Sequence, residues 1–447
     1  TVRRRFQGRP RRKILAVTEG KEKSRRATRP LRGTHDVKHP LEEIQVDESP
    51  LDVILVDEKF RRPIGRAFGV FAMDIMSRVV YGFYSGLEHP GFFTFGQCMY
   101  RGILPKDAYL RKLGIEGSWD VWGLPKGVVI HTDNARWFRG KDMKFFAEQY
   151  GVSLTFRPRK TPECGGHIER LIKTINGALH ELPGTTFSNP EQRGDYDSEK
   201  MAVMTPGELE QWIADFIVNV YHQKEHKSLE GMSPMQRWEM GVMGNESLAG
   251  IGLPDIIEGE DADRLSLTLL PSMRRAIERA KVTIEWIPYS HEVLIAASDK
   301  GAGRKKRLYT FKRDPRDISF IYYFDEDQKE YFRIPYSNPG WPPVSAVEWR
   351  KARKYLKEQG IKTRNPDRIF EAHERLQKRT EESAEKTKAA RRAMEMKRIH
   401  AGQKKKEPAP AGKSKQGKAE SSPLKNIFES PKPFNNIEVV GRWKKED

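Results

Sequence analysis

Three carboxylates in this sequence stand where chain architecture could bring them to one point. Val46-Asp47-Glu48 closes an apparent first strand, and Val128-Val129-Ile130-His131-Thr132-Asp133-Asn134 ends another. Glu169 lies near the start of an apparent helix, Gly166-His167-Ile168-Glu169-Arg170-Leu171-Ile172. Strand ends and a helix start are places from which a sheet can aim side chains at a shared centre. Clustered carboxylate oxygens suit a hard divalent cation, which needs no Cys or His ligand. Each acid also has a plainer reading, Asp133 as a turn residue after a strand and Glu169 as an exposed helix acid, and 62 acidic residues supply many triples. The first position is open at this level, because Asp47, Asp52, Asp57 and Asp74 all border apolar runs. Pro50 cannot donate to a strand ladder, which favours a strand that bends just beyond Asp47.

Around these acids stand further candidates. Ile168, Leu171, Ile172, Ile175 and Leu179 recur at helical spacing and would bury against a sheet. Glu169, Lys173 and Asn176 then share a neighbouring face at i, i+4 and i+7. Lys173 is placed either to hold a phosphate backbone beside Glu169 or simply to pair with that acid. Arg170, Asn176 and His167 are the adjoining candidates for phosphate contact. His131 and His167 flank the acids and either touch phosphate or pack. His35 and His39 have helical ligand spacing, but with only Cys98 and Cys164 in the chain a zinc site is not expected. Cys164 has no visible base partner, so a thiol nucleophile is not expected either.

The elements that must carry these residues alternate. Leu51 to Val56, Gly69 to Tyr84 and Val128 to His131 have the texture of strands, whereas Gly140 to Tyr150 and Gly166 to Leu182 have that of helices, so residues 41–245 predict an α/β sheet. Residues 246–262 form a Gly- and acid-rich break. Within 263–340, Val282 to Ile287, Val293 to Ala296, Arg307 to Phe311 and Ile318 to Phe324 predict short strands of a small barrel, with a hairpin at Tyr322 to Tyr331. Residues 345–400 are predicted helical, 401–422 a flexible Lys/Ala/Pro linker, and 423–447 a docking tail anchored by Phe428, Phe434 and Trp443.

The net charge of +19 points to a polyanionic partner. Residues 1–40 hold fourteen Lys or Arg, among them Arg3, Arg4, Arg5, Arg11 and Arg12, against three acids, and residues 379–420 hold thirteen against six. Residues 1–40 read as a basic arm or linker rather than a domain, and nearly all the excess lies in these two flanks, expected to bind phosphate without sequence preference. Two cysteines rule out a disulfide framework and fit a reducing, cytoplasmic setting. No run is apolar enough for a spanning helix, since Gly69 to Tyr84 is broken by Asp74, Ser77 and Arg78.

Asp133 and Glu169 are separated by 35 residues, with Asn134 after the Asp and Gly165-Gly166 before the helix. This resembles the DD(35)E pattern of RNase H-like transposases and integrases. Val46 to Glu58, Pro63-Ile64-Gly65-Arg66, Asp74 to Phe83, and Pro158-Arg159 to Arg170-Leu171 are similar to the bacterial Mu and TnsB/TniA transposase family. So are Tyr221-His222, His226, Leu229, Gly231 and Ser233-Pro234, which resemble the end of an integrase core. Leu270-Pro271-Ser272 and Arg313-Asp314-Pro315-Arg316-Asp317 resemble the small barrel that follows it. By that alignment Asp47 is the first ligand, and Asp74, followed by Ser and Arg, is not catalytic. Two departures are Glu48-Ser49, where relatives often carry His-Thr, and the lack of the helical DNA-binding domains that relatives carry before the core; with Thr1 first, those are expected to lie outside the numbered chain.

The resemblance implies a Mg²⁺-dependent enzyme (Mn²⁺ as the alternative), with two ions held by Asp47, Asp133 and Glu169, that nicks transposon 3′ ends and joins them to target DNA. It also implies double-stranded DNA as partner, a synaptic multimer such as a tetramer, an AAA+ ATPase of the TnsC type met by the tail, a separate second-strand endonuclease in some systems, and a bacterial, nucleoid-associated location. The alternatives are an RNase H-like nuclease without strand transfer and a catalytically inactive DNA-binding assembly factor.

Overall fold

A computed structural model of the chain describes residues 11–18, 20, 24, 37–133, 135–156, 165–187, 191, 194–246, 249–300, 307–325, 328, 330–361, 363–383 and 388–406. Two units separate at residue 38. The first contains a helix, α1 (Arg11–Thr18), inside the stretch expected to be a plain basic arm. The rest of this section concerns residues 39–447.

A five-stranded sheet forms the heart of the larger unit. Its strands are β1 (Glu43–Val56), β2 (Pro63–Asp74), β3 (Val80–Gly86), β4 (Val129–Thr132) and β5 (Ser153–Phe156), in the order β3-β2-β1-β4-β5. The first three are antiparallel hairpin neighbours, and β4 and β5 run parallel to β1. This mixed order, with helices against the sheet, is the RNase H-like arrangement. Leu51 and Val53 to Val56 are all buried because β2 flanks this half of β1 on one side and the chain at Gly184, Thr185 and Met204 on the other, so the run is continuously apolar rather than alternating.

Two expectations about these strands change. Pro50 does not end β1; the strand runs on to Val56, and the irregularity comes between Pro50 and Ile54, where the β1–β2 register shifts. Gly69 to Tyr84 is two strands, not one. Asp74 makes the turn, because its carboxylate accepts from Leu41 N–H (2.7 Å), Ser77 N–H (2.8 Å) and Ser77 Oγ–H (2.5 Å), and Arg78 then takes a left-handed φ of 68°. A side chain that caps its own backbone turn needs no Gly or Pro to mark it.

Helices cover the sheet. Against β3 packs α2 (Phe92–Ile103), so closely that a Cβ on Gly82 would sit 2.4 Å from the Cys98 carbonyl oxygen. The chain continues through α3 (Asp107–Leu113) and α4 (Lys141–Tyr150). Next, α5 (Gly166–Leu179) buries Ile168, Leu171, Ile172, Ile175 and Leu179, the predicted stripe, and packs on β1. Then come α6 (Pro206–Asp215), a wider π-turn at Phe216–Tyr221, and α7 (Pro234–Met243), capped by Ser233 with Gln236 and started by Pro234.

After α8 (Gly259–Thr268) the chain turns to β structure. Strands β6 (Ser272–Ala276), β9 (Leu308–Lys312), β10 (Phe320–Asp325) and β11 (Glu330–Pro335) form one antiparallel sheet, and β7 (Lys281–Ile284) with β8 (Ile287–Ser290) a separate hairpin, joined to it by a bridge between Tyr289 and Tyr336. The β10–β11 hairpin falls where the sequence placed it. Val293 to Ala296 does not form the expected strand: it opens helix α9 (Val293–Lys300), with Val293 N–H received by His291 Nδ1 and Ile295 half exposed. Residues 345–400 form helices as expected, in three pieces: α10 (Ala346–Glu358), α11 (Pro366–Ser383) and α12 (Lys388–Lys406). Helix α12 returns to β2 and so takes in the start of the expected linker. The rest of that linker, and Phe428, Phe434 and Trp443, lie outside the described residues. Among the described residues no helix is long and apolar enough to cross a membrane.

Candidate active site

The β1–β4 ladder leads up to the first two acids. Its pairs are Glu43 with Val129, Ile44 with Ile130 and Gln45 with His131. The ladder ends there, before Asp133; its register carried two residues further would bring Asp133 level with Asp47. Paired residues on parallel neighbours face the same side of the sheet, on strands about 4.8 Å apart. Asp133 follows directly on β4, half-buried, and its Oδ1 receives Ala135 N–H at 2.8 Å. Asp47 is half-buried in mid-β1, with Oδ1 receiving Glu48 N–H at 3.0 Å.

Glu48 joins this pair. Its carboxyl pKa is pushed up to about 7, first by burial, then by the charge of Asp133 and, more weakly, by that of Asp47. The nearby Trp137 indole lowers it in part. That contact falls short of hydrogen-bond geometry, since Glu48 Oε2 and Trp137 Nε1 each lack such a bond. Sequence reasoning treated Glu48 only as a departure at the position after Asp47. The signal that it mattered, an acid next to a candidate ligand, becomes specific only through the register that brings Asp133 alongside.

Glu169 lies in the first turn of α5, where the helix dipole favours a negative charge. Two bonds pin the far half of that helix over Asp52: Asn176 Oδ1 accepts Asp52 N–H at 3.0 Å, and His180 Nε2 lies 2.9 Å from Asp52 Oδ2. Burial lowers the pKa values of Arg78 and His226, and the charge of Arg170, beside Glu169, adds a smaller push on each. Helix α5 thus runs along β1, with its first turn towards the Asp74–Arg78 end and its last over Asp52. Among the described residues, no three His, Cys, Asp or Glu side chains are gathered so as to hold a metal ion. Glu48 feels the charges of both Asp133 and Asp47, but among the described residues neither Glu48 nor Glu169 completes a three-acid ligand group with them. In kind the acids fit Mg²⁺: the donors are all oxygen, and a divalent cation offsets both the burial and the neighbouring negative charge that together raise Glu48.

The other aspartates of the first-ligand question have structural work. Asp74 is buried and fixes the β2–β3 turn as described above, and burial raises its pKa. Asp52 is paired with Arg66 and His180. Asp57 receives Phe60 N–H at 2.6 Å and Arg62 N–H at 3.2 Å, with Arg391 Nε 3.6 Å away.

Of the proposed DNA contacts, Lys173 and Arg170 are exposed and His167 is half-buried. Asn176 is occupied inside the fold by Asp52 N–H. Arg11 and Arg12 belong to α1, though their side chains, like Arg3, Arg4, Arg5, Asn134 and Cys164, lie outside the described residues. His131 is buried, with Nδ1 3.6 Å from Glu43. The segment from Tyr221 to Pro234 closes the core. His222 is fully buried and its Nε2 accepts Val80 N–H at 2.9 Å, His226 Nδ1 caps the turn at Lys227–Leu229, and Glu230 and Gly231 carry positive φ before the Ser233 cap.

Residues 45–184 match the family of the TnsB C-terminal domain. That span holds all three acids, from β1 through α5. The transposition protein TnsB of transposon Tn7 from Escherichia coli is 22% identical over 261 residues, covering 55% of this chain and 36% of the relative. The chain thus spans little more than a third of that relative's length. The catalytic core domain of BIV integrase is matched over 44% of this chain and 93% of its own length, at 12% identity and a TM-score of 0.24. The HTLV-2 integrase core, in complex with magnesium, is matched over 44% and 96%, at 13% identity and a TM-score of 0.25. Those two likenesses are slight, and the RNase H-like assignment rests on strand order and direction.

Proposed function

We propose that this chain carries the catalytic core of a DNA transposase of the TnsB type. The observation that supports it most is the match of residues 45–184, which hold Asp47, Asp133 and Glu169, to the TnsB C-terminal domain, on a sheet with the strand order β3-β2-β1-β4-β5. Two displacements at phosphorus make up the reaction. In the first, water attacks the phosphodiester at a transposon 3′ end, the phosphorus–O3′ bond breaks, and a free 3′ hydroxyl leaves. In the second, that hydroxyl loses its proton and attacks a target phosphodiester, whose own 3′ oxygen departs. Mg²⁺ held by Asp47, Asp133 and Glu169 would polarise the phosphate and favour the attacking and leaving oxyanions.

The chain's own contribution is placement. Strand β1 carries Asp47, β4 leads directly into Asp133, and α5 carries Glu169. Exposed Lys173 and Arg170, on the same helix, are set to hold the DNA backbone beside them. Assembly on paired transposon ends as a multimer, and contact with an AAA+ ATPase through residues 423–447, belong to the same reading.

Joining of pre-nicked transposon ends to a target duplex with Mg²⁺, run beside Asp133→Ala, tests it. Joining by the wild type that disappears in the variant is the expected result. Cutting without joining would make the chain a nuclease, and neither activity in the wild type would make it a DNA-binding assembly factor.

A further inference from the structure

The hairpin β7–β8 turns through Glu285 and Trp286, both with left-handed φ, 50° and 77°. Such a turn ordinarily draws Asn or Gly, because a bulky side chain is strained there. Here the tip is held from several sides. Fully buried Trp349 of α10 donates its Nε1–H to the Glu285 carbonyl at 3.0 Å, and Arg313 donates to the Glu285 carboxylate at 2.9 Å. The guanidinium groups of Arg353 and Arg364 lie 5.7 and 4.8 Å from the centre of the Trp286 ring. Two cations thus share one indole, and among the described residues neither has an ion-pair partner.

Helix α10 adds to this concentration of charge. Arg350, Arg353, Lys354 and Lys357 recur at i, i+3, i+4 and i+7 and form one basic stripe, while Ala346, Trp349, Ala352 and Leu356 bury the other side. Together with Trp286 and Arg364 the stripe lines an open cleft of about 470 Å³ whose lining contains no carboxylate. The nearest acids are partly spent: Glu285 on Arg313, with Arg350 at 3.9 Å, and Glu358 near Lys354 at 3.7 Å. A solvated basic helix face would need neither the strained hairpin tip nor the aromatic ring fixed within it.

We propose that this cleft is a second DNA-contact surface, which takes the backbone phosphates of a duplex on elements that contribute nothing to the carboxylate site. The stripe extends about 10 Å along α10, at 1.5 Å per residue. Phosphates recur about every 3.4 Å along one DNA strand and about every 1.7 Å along the axis with both strands counted, so the stripe spans about three on one strand and about six in all, enough for one per cation. Regular negative charge of that pitch suits the four cations in line, and an indole held between guanidiniums gives a flat face for the sugar edge. The proposal rests on the reading that the chain acts on DNA.

The test is duplex binding by the full chain, followed by fluorescence anisotropy with a sequence-unrelated duplex in rising NaCl. Arg350→Gln/Arg353→Gln/Arg364→Gln is expected to make the log-affinity against log-salt slope shallower by about 2.7, at about 0.9 per phosphate contact, and to weaken binding at least about tenfold. Lys354→Gln/Lys357→Gln alters only exposed side chains and leaves Trp286 held; its slope should fall by about 1.8. Unchanged slope and affinity in both variants, while the wild type joins strands in an Asp133-dependent way, overturns the cleft and leaves the transposase reading intact. A wild type that binds no duplex at all overturns both. Polyglutamate bound as tightly as the duplex, and released by the same substitutions, assigns the cleft to an acidic protein instead and refutes the DNA assignment.

Discussion

Acid should weaken this fold through one buried imidazole. His222 has no exposed surface, packs edge-on against Trp119 at 5.7 Å between ring centres, and takes Val80 N–H on Nε2. That bond requires Nε2 as an acceptor, which places the single ring proton of the neutral form on Nδ1, an atom with no hydrogen-bond partner. Burial, with a smaller push from the Lys106 charge, lowers the pKa from 6.5 to about 3. The folded value is the depressed one, so the full stability is present above the unfolded pKa and is lost as pH falls from about 6.5 towards 3. At pH 5 the unfolded imidazole is about 97% protonated and the folded one about 1%, which from pH 7 to pH 5 costs about 2 kcal/mol at 1.36 kcal/mol per unit. His222→Gln keeps a side-chain oxygen that can accept from Val80 and removes the titration. Urea unfolding of wild type and variant at pH 7 and pH 5, followed by circular dichroism, measures the difference. The variant should start less stable at pH 7 yet lose about 2 kcal/mol less on acidification, since every other titrating group is common to both. Equal losses in the two proteins would refute the assignment of acid sensitivity to His222.

Asp74→Asn should lower stability, because three donors converge on a carboxylate and an amide offers only one acceptor oxygen. The expected cost is about 1–3 kcal/mol, read as a Tm lower by several degrees. Asp47→Asn should instead abolish joining at little cost in Tm, and comparable Tm losses in the two variants would sink the distinction between ligand and turn-former. Deletion of residues 423–447 should abolish capture of an AAA+ ATPase partner in a pull-down while duplex binding persists. Undiminished capture would remove the tail from that role.

The parts of the fold that were legible in the sequence are those fixed by short-range pattern. The apolar run of β1, the stripe Ile168, Leu171, Ile172, Ile175, Leu179 and the Ser233-Pro234 start of α7 each carry their own signal within a few residues. What failed was local pattern without a local tell. Four apolar letters at Val293 to Ala296 fit a strand or a buried helix equally, and the deciding contact is an imidazole cap two residues upstream. The break between β2 and β3 escaped because Asp74 makes the turn with its side chain, using partners at Ser77 and at Leu41 in a separate stretch of chain.

The candidate site divides along the same line. Spacing and context single out Asp133 and Glu169, but the relation of Asp47 to Asp133, and the involvement of Glu48, depend on which residue of β4 stands beside which residue of β1. That register is a tertiary quantity with no trace in either strand alone. Glu169 depends on a third length scale, the docking of α5. The pins of that helix at Asn176 and His180 both lie over Asp52, seven and eleven residues beyond Glu169. The half of the helix that carries Glu169 is held instead by apolar packing, since Ile168, Leu171 and Ile172 are buried, so the third acid is placed by the same stripe that the sequence displays.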